Sequence, residues 1–196
     1  MKKILGLCLV IGYPVAYLLS NPNYNKSRIM VILFMLPMWI NFLLRTLATK
    51  AMFEALGIEL GMGTVIFGMV YNYLPFMIMP IFTTLSKIDK SLLEGASDLG
   101  ASPLKGFVKI TLPLSVPGVL SGITMVFTPT ITTFAISGLL SGNTINLIGD
   151  YIDLQITNSL NVASAMSFII LLVIGVSMII VNKYDKDNAT QGGGLW

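Results

Sequence analysis

Apolar and polar positions divide the chain into five long apolar runs, at residues 4–19, 29–47, 60–80, 114–136 and 162–181, joined by short polar connections. The third and fifth have the length that carries a helix across a bilayer, about 20 residues. The first is slightly short of it. Pro14, Pro37 and Pro75 interrupt the first three runs, and Pro117 and Pro129 the fourth; the fifth has no proline. A span whose backbone groups are freed by proline needs neighbours to satisfy them, so the first four runs read as members of a helix bundle. The second run also holds Trp39 and Arg45. Arg45 reads as a side chain near the outer end of its span, snorkelling to the interface with no part in binding a cationic solute.

The interval 86–113 is a polar island containing Lys87, Asp89, Lys90, Glu94, Asp98, Lys105 and Lys109. Within it Ile88, Leu92, Leu93, Ala96 and Leu99 recur near the helical period and predict an amphipathic helix. Gly100 stops that helix. Ser102 caps a second one with Pro103 at its first position. Leu104, Phe107, Val108 and Ile110 form its apolar side, and Pro113 is predicted to close it before the next span. On pattern alone, such a loop serves equally well as a docking element or as an amphipathic segment lying on the membrane. Between the last two runs, Ile145, Leu147, Ile148, Tyr151 and Ile152 predict a short amphipathic helix with Asp150 and Asp153 exposed. The polar tail, 183–196, carries a glycine run and is predicted to be disordered.

Composition agrees with the pattern: 55% of residues are hydrophobic, 11% are charged and the mean hydropathy is +0.82. A soluble domain is about 25% charged, so the chain reads as an all-α integral membrane protein. Cys8 is the one cysteine, which excludes an internal disulfide. There is no histidine, and no acid lies inside an apolar run, so neither a proton relay nor a metal site can be built there. A net charge of +3 is too small and too scattered for nucleic-acid binding. No phosphate-cradling Gly-x-x-x-x-Gly-Lys-Ser/Thr loop is present, so the chain is not an ATP-hydrolysing enzyme.

Charge placement also sets an expected orientation. With the island on the cytoplasmic side, Lys26, Arg28, Lys87, Lys90, Lys105, Lys109, Lys183 and Lys186 lie inside. The 137–161 loop, which has no Lys or Arg, lies outside with Lys2, Lys3, Arg45 and Lys50. Lys2 and Lys3 are the exception to the positive-inside pattern. A cleaved signal or signal anchor would explain them, but no small-residue cleavage site follows, and an anchor would expel every basic loop. The preferred reading is a parent of six spans that has lost its first.

Glu94-Gly95-Ala96, followed by Gly100, Ile110, Leu112 and Pro113, resembles the Glu-Ala-Ala…Gly…Ile-x-Leu-Pro loop of ABC importer permeases, with Gly95 where alanine is usual. Four further segments resemble the spermidine/putrescine importer permease family: Tyr13-Pro14-Val15-Ala16-Tyr17, Leu43-Leu44-Arg45-Thr46, the stretch from Gly68 to Pro80, and Leu112 to Gly122. The likeness covers residues 4–182 and begins at what corresponds to the second of six spans. It departs at Phe134-Ala135-Ile136-Ser137-Gly138, where an acid and a proline are usual, and at Leu160-Asn161-Val162-Ala163, where Trp-Pro is usual.

The resemblance implies a type I ABC importer permease of about five transmembrane helices, forming half of a translocation path. It implies no cofactor in this chain, ATP and Mg being held by a partner ATPase. The implied partners are a second homologous permease subunit, a cytoplasmic ATPase dimer and an extracellular or periplasmic polyamine-binding protein. Residues 86–113 would be the coupling loop. Leu92, Leu93 and Ala96 would give buried contact, and Glu94 would pair with a basic residue of the ATPase. Gly95 and Ala96 would permit close approach, Gly100 would set the angle between the two helices, and Ile110, Leu112 and Pro113 would complete the motif.

Polyamines are cations, and these spans hold no acid to neutralise them. Aromatic faces, each worth ~0.5–2 kcal/mol to a cation, make Tyr71, Tyr73, Phe76 and Phe127 candidate path residues, with Asn72, Thr128, Thr130 and Thr133 as polar partners. The alternatives are a permease for another small solute, a truncated inactive remnant, and a self-contained channel or secondary carrier. A secondary carrier usually shows an internal repeat, which is absent here.

Overall fold

The computed structural model describes residues 2–21, 29–142 and 144–192, with side chains for all of these except Lys90 and 180–192. Every regular element among them is helical. Lys26 and Arg28 lie outside the described residues.

Helix α1 (Lys2–Ser20) absorbs Pro14 without breaking. The second apolar run does not form one span. It forms α2 (Ile29–Trp39) and α3 (Phe42–Ala55), bent by 91° at Ile40-Asn41. Pro37 weakens the end of α2. Asn41 then restarts the chain as the N-cap of α3, its side chain accepting from the Leu43 amide at 2.9 Å. The third run is α4 (Met62–Leu85), which carries Pro75 and Pro80.

The polar island contains α5 (Lys90–Asp98) and α6 (Pro103–Gly106). Helix α5 ends in a Schellman motif: the Gly100 amide donates to the Ser97 carbonyl and the Ala101 amide to the Ala96 carbonyl. Gly100 has φ +78°, where a side chain is strained. Ser102 caps α6, as its position predicts.

Pro113 does not close this helix. Residues Phe107–Thr111 form a π-helical turn, and α7 (Leu112–Thr132) follows without interruption. The wider turn lets the Leu112 amide reach back to the Phe107 carbonyl, so the chain passes through a proline that lacks an N–H. Beyond a break at Thr133-Phe134 come α8 (Ala135–Leu140) and α9 (Ile148–Asn158). The last helix, α10 (Leu160–Gly192), begins before its apolar run and continues well past it. The expectation of a disordered tail therefore fails for 183–192, and 193–196 lie outside the described residues.

Four helices are long and apolar enough to cross a membrane, and the bent pair α2–α3 makes up to five among the described residues. The chain is a multi-pass membrane protein. Helix α4 stands at its centre, between α7 and α1. Lipid offers no hydrophobic drive for helices to associate, so small residues must let the backbones approach. Gly118 and Gly122 of α7 do this against α4. A Cβ on Gly118 would stand 2.6 Å from Thr84 Oγ1 and 2.9 Å from the Pro80 carbonyl oxygen. Gly12 of α1 lies against Met77, which is completely buried. Most of the α10 surface faces away from the rest of the chain.

Gly118→Val is expected to destabilise the detergent-solubilised chain by about 1–3 kcal/mol through overpacking against a backbone that cannot move aside. Gly63→Ala, with open space around its Cβ position, should leave thermal unfolding within about 0.5 kcal/mol of the parent.

Candidate functional site

Two helix breaks and helix α4 converge on one cavity of about 520 Å³. The α2–α3 break supplies Met38, Trp39, Ile40, Asn41 and Phe42. Helix α4 supplies Asn72, Tyr73 and Phe76, and the α7–α8 break supplies Pro129 and residues 132–136. Irregular backbone at membrane depth is tolerated where it is buried in protein or lines a cavity, which is the case at both breaks.

Arg45 stands at the centre of this arrangement. It does not snorkel: only 7% of its surface is exposed, and it lines the cavity. Its Nε donates to Asn72 Oδ1 at 2.7 Å and its Nη1 to the Pro37 carbonyl at 2.6 Å. The guanidinium carbon lies 5.6 Å from the centre of the Tyr71 ring. The reason for this burial is the bend itself. A carbonyl freed by the helix break needs a donor, and a guanidinium brought inward by a 91° turn supplies one. Asn72 is fixed in turn by donating to the Gly68 carbonyl at 2.8 Å, with Thr46 Oγ1 at 3.4 Å.

The sequence does carry a signal for Arg45. An ionisable residue inside an apolar run is rare enough to be a site candidate by default.

Asn72, Tyr73 and Phe76 line the cavity together, as does Thr133. The Tyr73 hydroxyl donates to the Pro129 carbonyl at 3.3 Å, tying α4 to the second break. Tyr71 lies on another face of α4, half-exposed beside Phe67, in a separate depression that Arg45 also borders. Phe127, Thr128 and Thr130 do not line the cavity. Thr130 is buried, and its hydroxyl is used one turn back on the Val126 carbonyl, the commonest fate of a threonine inside a helix.

Helix α9 packs against the α7–α8 break. Asp150 is not free in solvent: its carboxylate accepts from Ser137 Oγ at 2.6 Å and from the Leu147 amide at 2.5 Å, clipping α8 to α9. Gly149 sits against the Thr133 carbonyl, where a Cβ would approach to 2.3 Å. Asp153 remains exposed.

The second candidate surface is the polar island. Leu92, Leu93, Leu99 and Leu104 are exposed on it, Leu99 at 90%. Glu94 and Gly95 are exposed and Ala96 is half-buried. Ile110, Leu112 and Pro113 lie in and just after the π-turn. Asp89 caps α5 by accepting from the Ser91 amide at 3.0 Å, and this bond with the Ser91 hydroxyl holds its carboxyl below the usual range. The cap is therefore complete at neutral pH and is lost only as pH falls through that depressed value.

The island is joined mechanically to the bundle. The Phe107 ring meets Tyr13 and Tyr17 of α1 edge-on, at 6.1 and 5.2 Å between centres. Tyr13 Oη lies 2.8 Å from Ser115 Oγ of α7. Among the described residues no group of His, Cys, Asp or Glu can hold a metal ion.

Comparison with known proteins gives the family and the fold. Residues 9–187 match the family model described as the binding-protein-dependent transport system inner membrane component. The chain is 34% identical over 192 residues to the spermidine/putrescine transport system permease protein PotB of Escherichia coli K12, covering 88% of this chain and 70% of that protein. It is 34% identical over 172 residues to the protein of the same name from Haemophilus influenzae, covering 79% of this chain and 60% of that one. Its fold is similar to a chain of the MetNI methionine ABC transporter in inward-facing conformations, with a TM-score of 0.71, 17% identity, and coverage of 95% of this chain and 93% of the other.

Replacing Asn72 with Leu removes the acceptor of a charged donor inside the bundle. It should cost about 2–3 kcal/mol in thermal unfolding of the solubilised chain. Tyr71→Leu, which removes the ring contacts with Arg45 and Phe67, should cost about 0.5–2 kcal/mol.

Proposed function

We propose a specific task for this chain, which belongs to the family of binding-protein-dependent transport system inner membrane components and is a membrane permease subunit of an ABC-type importer: it forms half of a translocation path for spermidine and putrescine. The observation that carries this reading is the 34% identity to a spermidine/putrescine permease over 88% of the chain. The other half of the path comes from a second, homologous permease. An ATPase dimer works from the cytoplasm, and a polyamine-binding protein delivers cargo from outside.

The lining of the cavity supports the reading. Trp39, Tyr73, Phe76 and Phe134 present aromatic faces, with Asn72, Thr132 and Thr133 as polar groups among them. Such faces attract an elongated cation weakly, at ~0.5–2 kcal/mol each. Weak contact suits a path that must release what it carries, with tight recognition left to the binding protein.

Coupling runs through residues 86–113. Leu92, Leu93 and Ala96 enter a groove of the ATPase, Glu94 pairs with a basic residue there, and Gly95 permits close approach. Exposed leucines on an otherwise polar loop support a docking role, since large apolar patches of this kind mark interaction sites. Movement of the docked loop passes through the unbroken α6, π-turn and α7 to Pro129 at the cavity wall. The clasp of Tyr13 and Tyr17 on Phe107 brings α1 with it.

The test is uptake of labelled spermidine and putrescine into vesicles that hold this chain with its second permease, ATPase and binding protein. ATP-dependent uptake is expected, falling at least about tenfold in Glu94→Ala if the pair with the ATPase is buried. ATP hydrolysis without movement of either polyamine would remove the substrate assignment. Unchanged coupling in Glu94→Ala would remove Glu94 from the docking contact.

A further inference from the structure

We propose that Arg45 is a carboxylate-binding site in the wall of the cavity, and that in the assembled importer the carboxylate is an Asp or Glu side chain of the second permease subunit. The inference rests on the reading of this chain as one half of a permease pair for cationic cargo.

Arg45 has five N–H groups to place, and the described residues take two of them, on Asn72 Oδ1 and the Pro37 carbonyl. Both acceptors are neutral. Nη2 has no hydrogen-bond partner among the described residues, and Arg45 borders the cavity. The unit charge is therefore solvated by an amide, a carbonyl and a ring, with no counter-ion among the described residues.

The apolar runs of this chain hold no acid to offer it. The acids are Glu54, Glu59, Asp89, Glu94, Asp98, Asp150, Asp153, Asp185 and Asp187, and all of them lie outside the apolar runs. Glu54 is with Lys50, and Asp150 is engaged by Ser137 and Leu147. Ionisable side chains at membrane depth face a bundle interior or a water-filled cavity and pair with one another or with backbone carbonyls. Here the carbonyl is provided and the charge partner is missing.

Such a partner can reach Arg45 from the cavity, whose volume of about 520 Å³ admits a carboxylate side chain. A planar guanidinium with one free edge binds a carboxylate better than any other group. The pairing also removes a difficulty in the transport reading, because an uncompensated cation in the wall repels a polyamine. Cancelled by the second subunit, Arg45 becomes a neutral part of the lining, and any further acid of that subunit remains free for cargo.

The test uses the complete assembly of this chain, second permease, ATPase and binding protein, and reads ATP turnover and co-purification of the two permeases. Neither signal needs a polyamine, so failure here is distinct from failure of the substrate assignment. Arg45→Glu should lower turnover at least about tenfold, as expected when a buried pair becomes two like charges. Replacing the second subunit's membrane-embedded acids by lysine one at a time, in the presence of Arg45→Glu, should find one that restores turnover to within about threefold of the parent. Such a rescue also shows that the Arg45→Glu chain folds. Arg45→Lys should keep most of the turnover, because the charge is retained.

The pairing is overturned if no lysine replacement rescues, or if Arg45→Gln leaves turnover and co-purification unchanged. It is equally overturned if the parent assembly imports a carboxylate-bearing solute in an Arg45-dependent way, since the carboxylate would then belong to the cargo.

Discussion

A bilayer supplies no hydrogen-bonding partner, so each place where a membrane helix stops being a helix must be satisfied by protein. This structure breaks its helices at two places in the membrane region, and at each one a side chain from a different turn or helix meets a freed backbone group. Arg45 donates to the Pro37 carbonyl at the α2–α3 bend. Tyr73 donates to the Pro129 carbonyl beside the α7–α8 break. Thr64, near the start of α4, donates to the Leu140 carbonyl at the end of α8 at 2.7 Å. Asp150 accepts from the Leu147 amide at the start of α9. Two of these four bonds, from Tyr73 and Thr64, join elements that are not consecutive in the chain. The same contacts that make broken helices tolerable therefore hold the walls of the cavity together.

The other end of the molecule is organised for continuity. From Pro103 to Thr132 the chain runs as one helical rod through a π-turn, and the aromatic clasp on Phe107 ties that rod to α1. A rigid rod transmits displacement, whereas a loop absorbs it. The cavity lies well away from the island: Asn72 is about 20 Å along α4 from its island end, at 1.5 Å per residue. Gly118 and Gly122 pack the rod directly on α4, so α4 and α7 respond to a push on the island as a pair.

The fold was largely legible in the sequence because most of it follows from hydrophobic run length and punctuation. The first, third and fifth runs became helices, and Ser102, Pro103 and Gly100 did the local work that their chemistry predicts. What could not be read was whether a proline would break a helix. Pro14, Pro75 and Pro113 are absorbed, while Pro37 and Pro129 lie three and four residues before breaks, and nothing in the residues themselves separates the two groups. The decision depends on tertiary partners: Arg45 at one break and Tyr73 at the other. The same gap explains the candidate path residues. Asn72, Tyr73 and Phe76 were legible as polar and aromatic groups within an apolar run. Which face of α4 each occupies was not, and so Tyr71 lies apart from the others.

Arg45 shows how a local rule gives way to a global one. A cation near the end of an apolar run lowers its energy by reaching the interface, provided the helix is straight. Once the helix bends by 91°, the same side chain finds an amide, a carbonyl and a ring inside the bundle. Those groups accept its hydrogen bonds and leave its charge uncancelled. An Arg that served structure alone would need only the bonds, and a glutamine of similar reach would supply one of them at less cost in desolvation. Keeping a full positive charge beside a cavity is understandable when something negative arrives there. In a chain whose own acids all lie outside the apolar runs, that charge has to come from another molecule of the assembly.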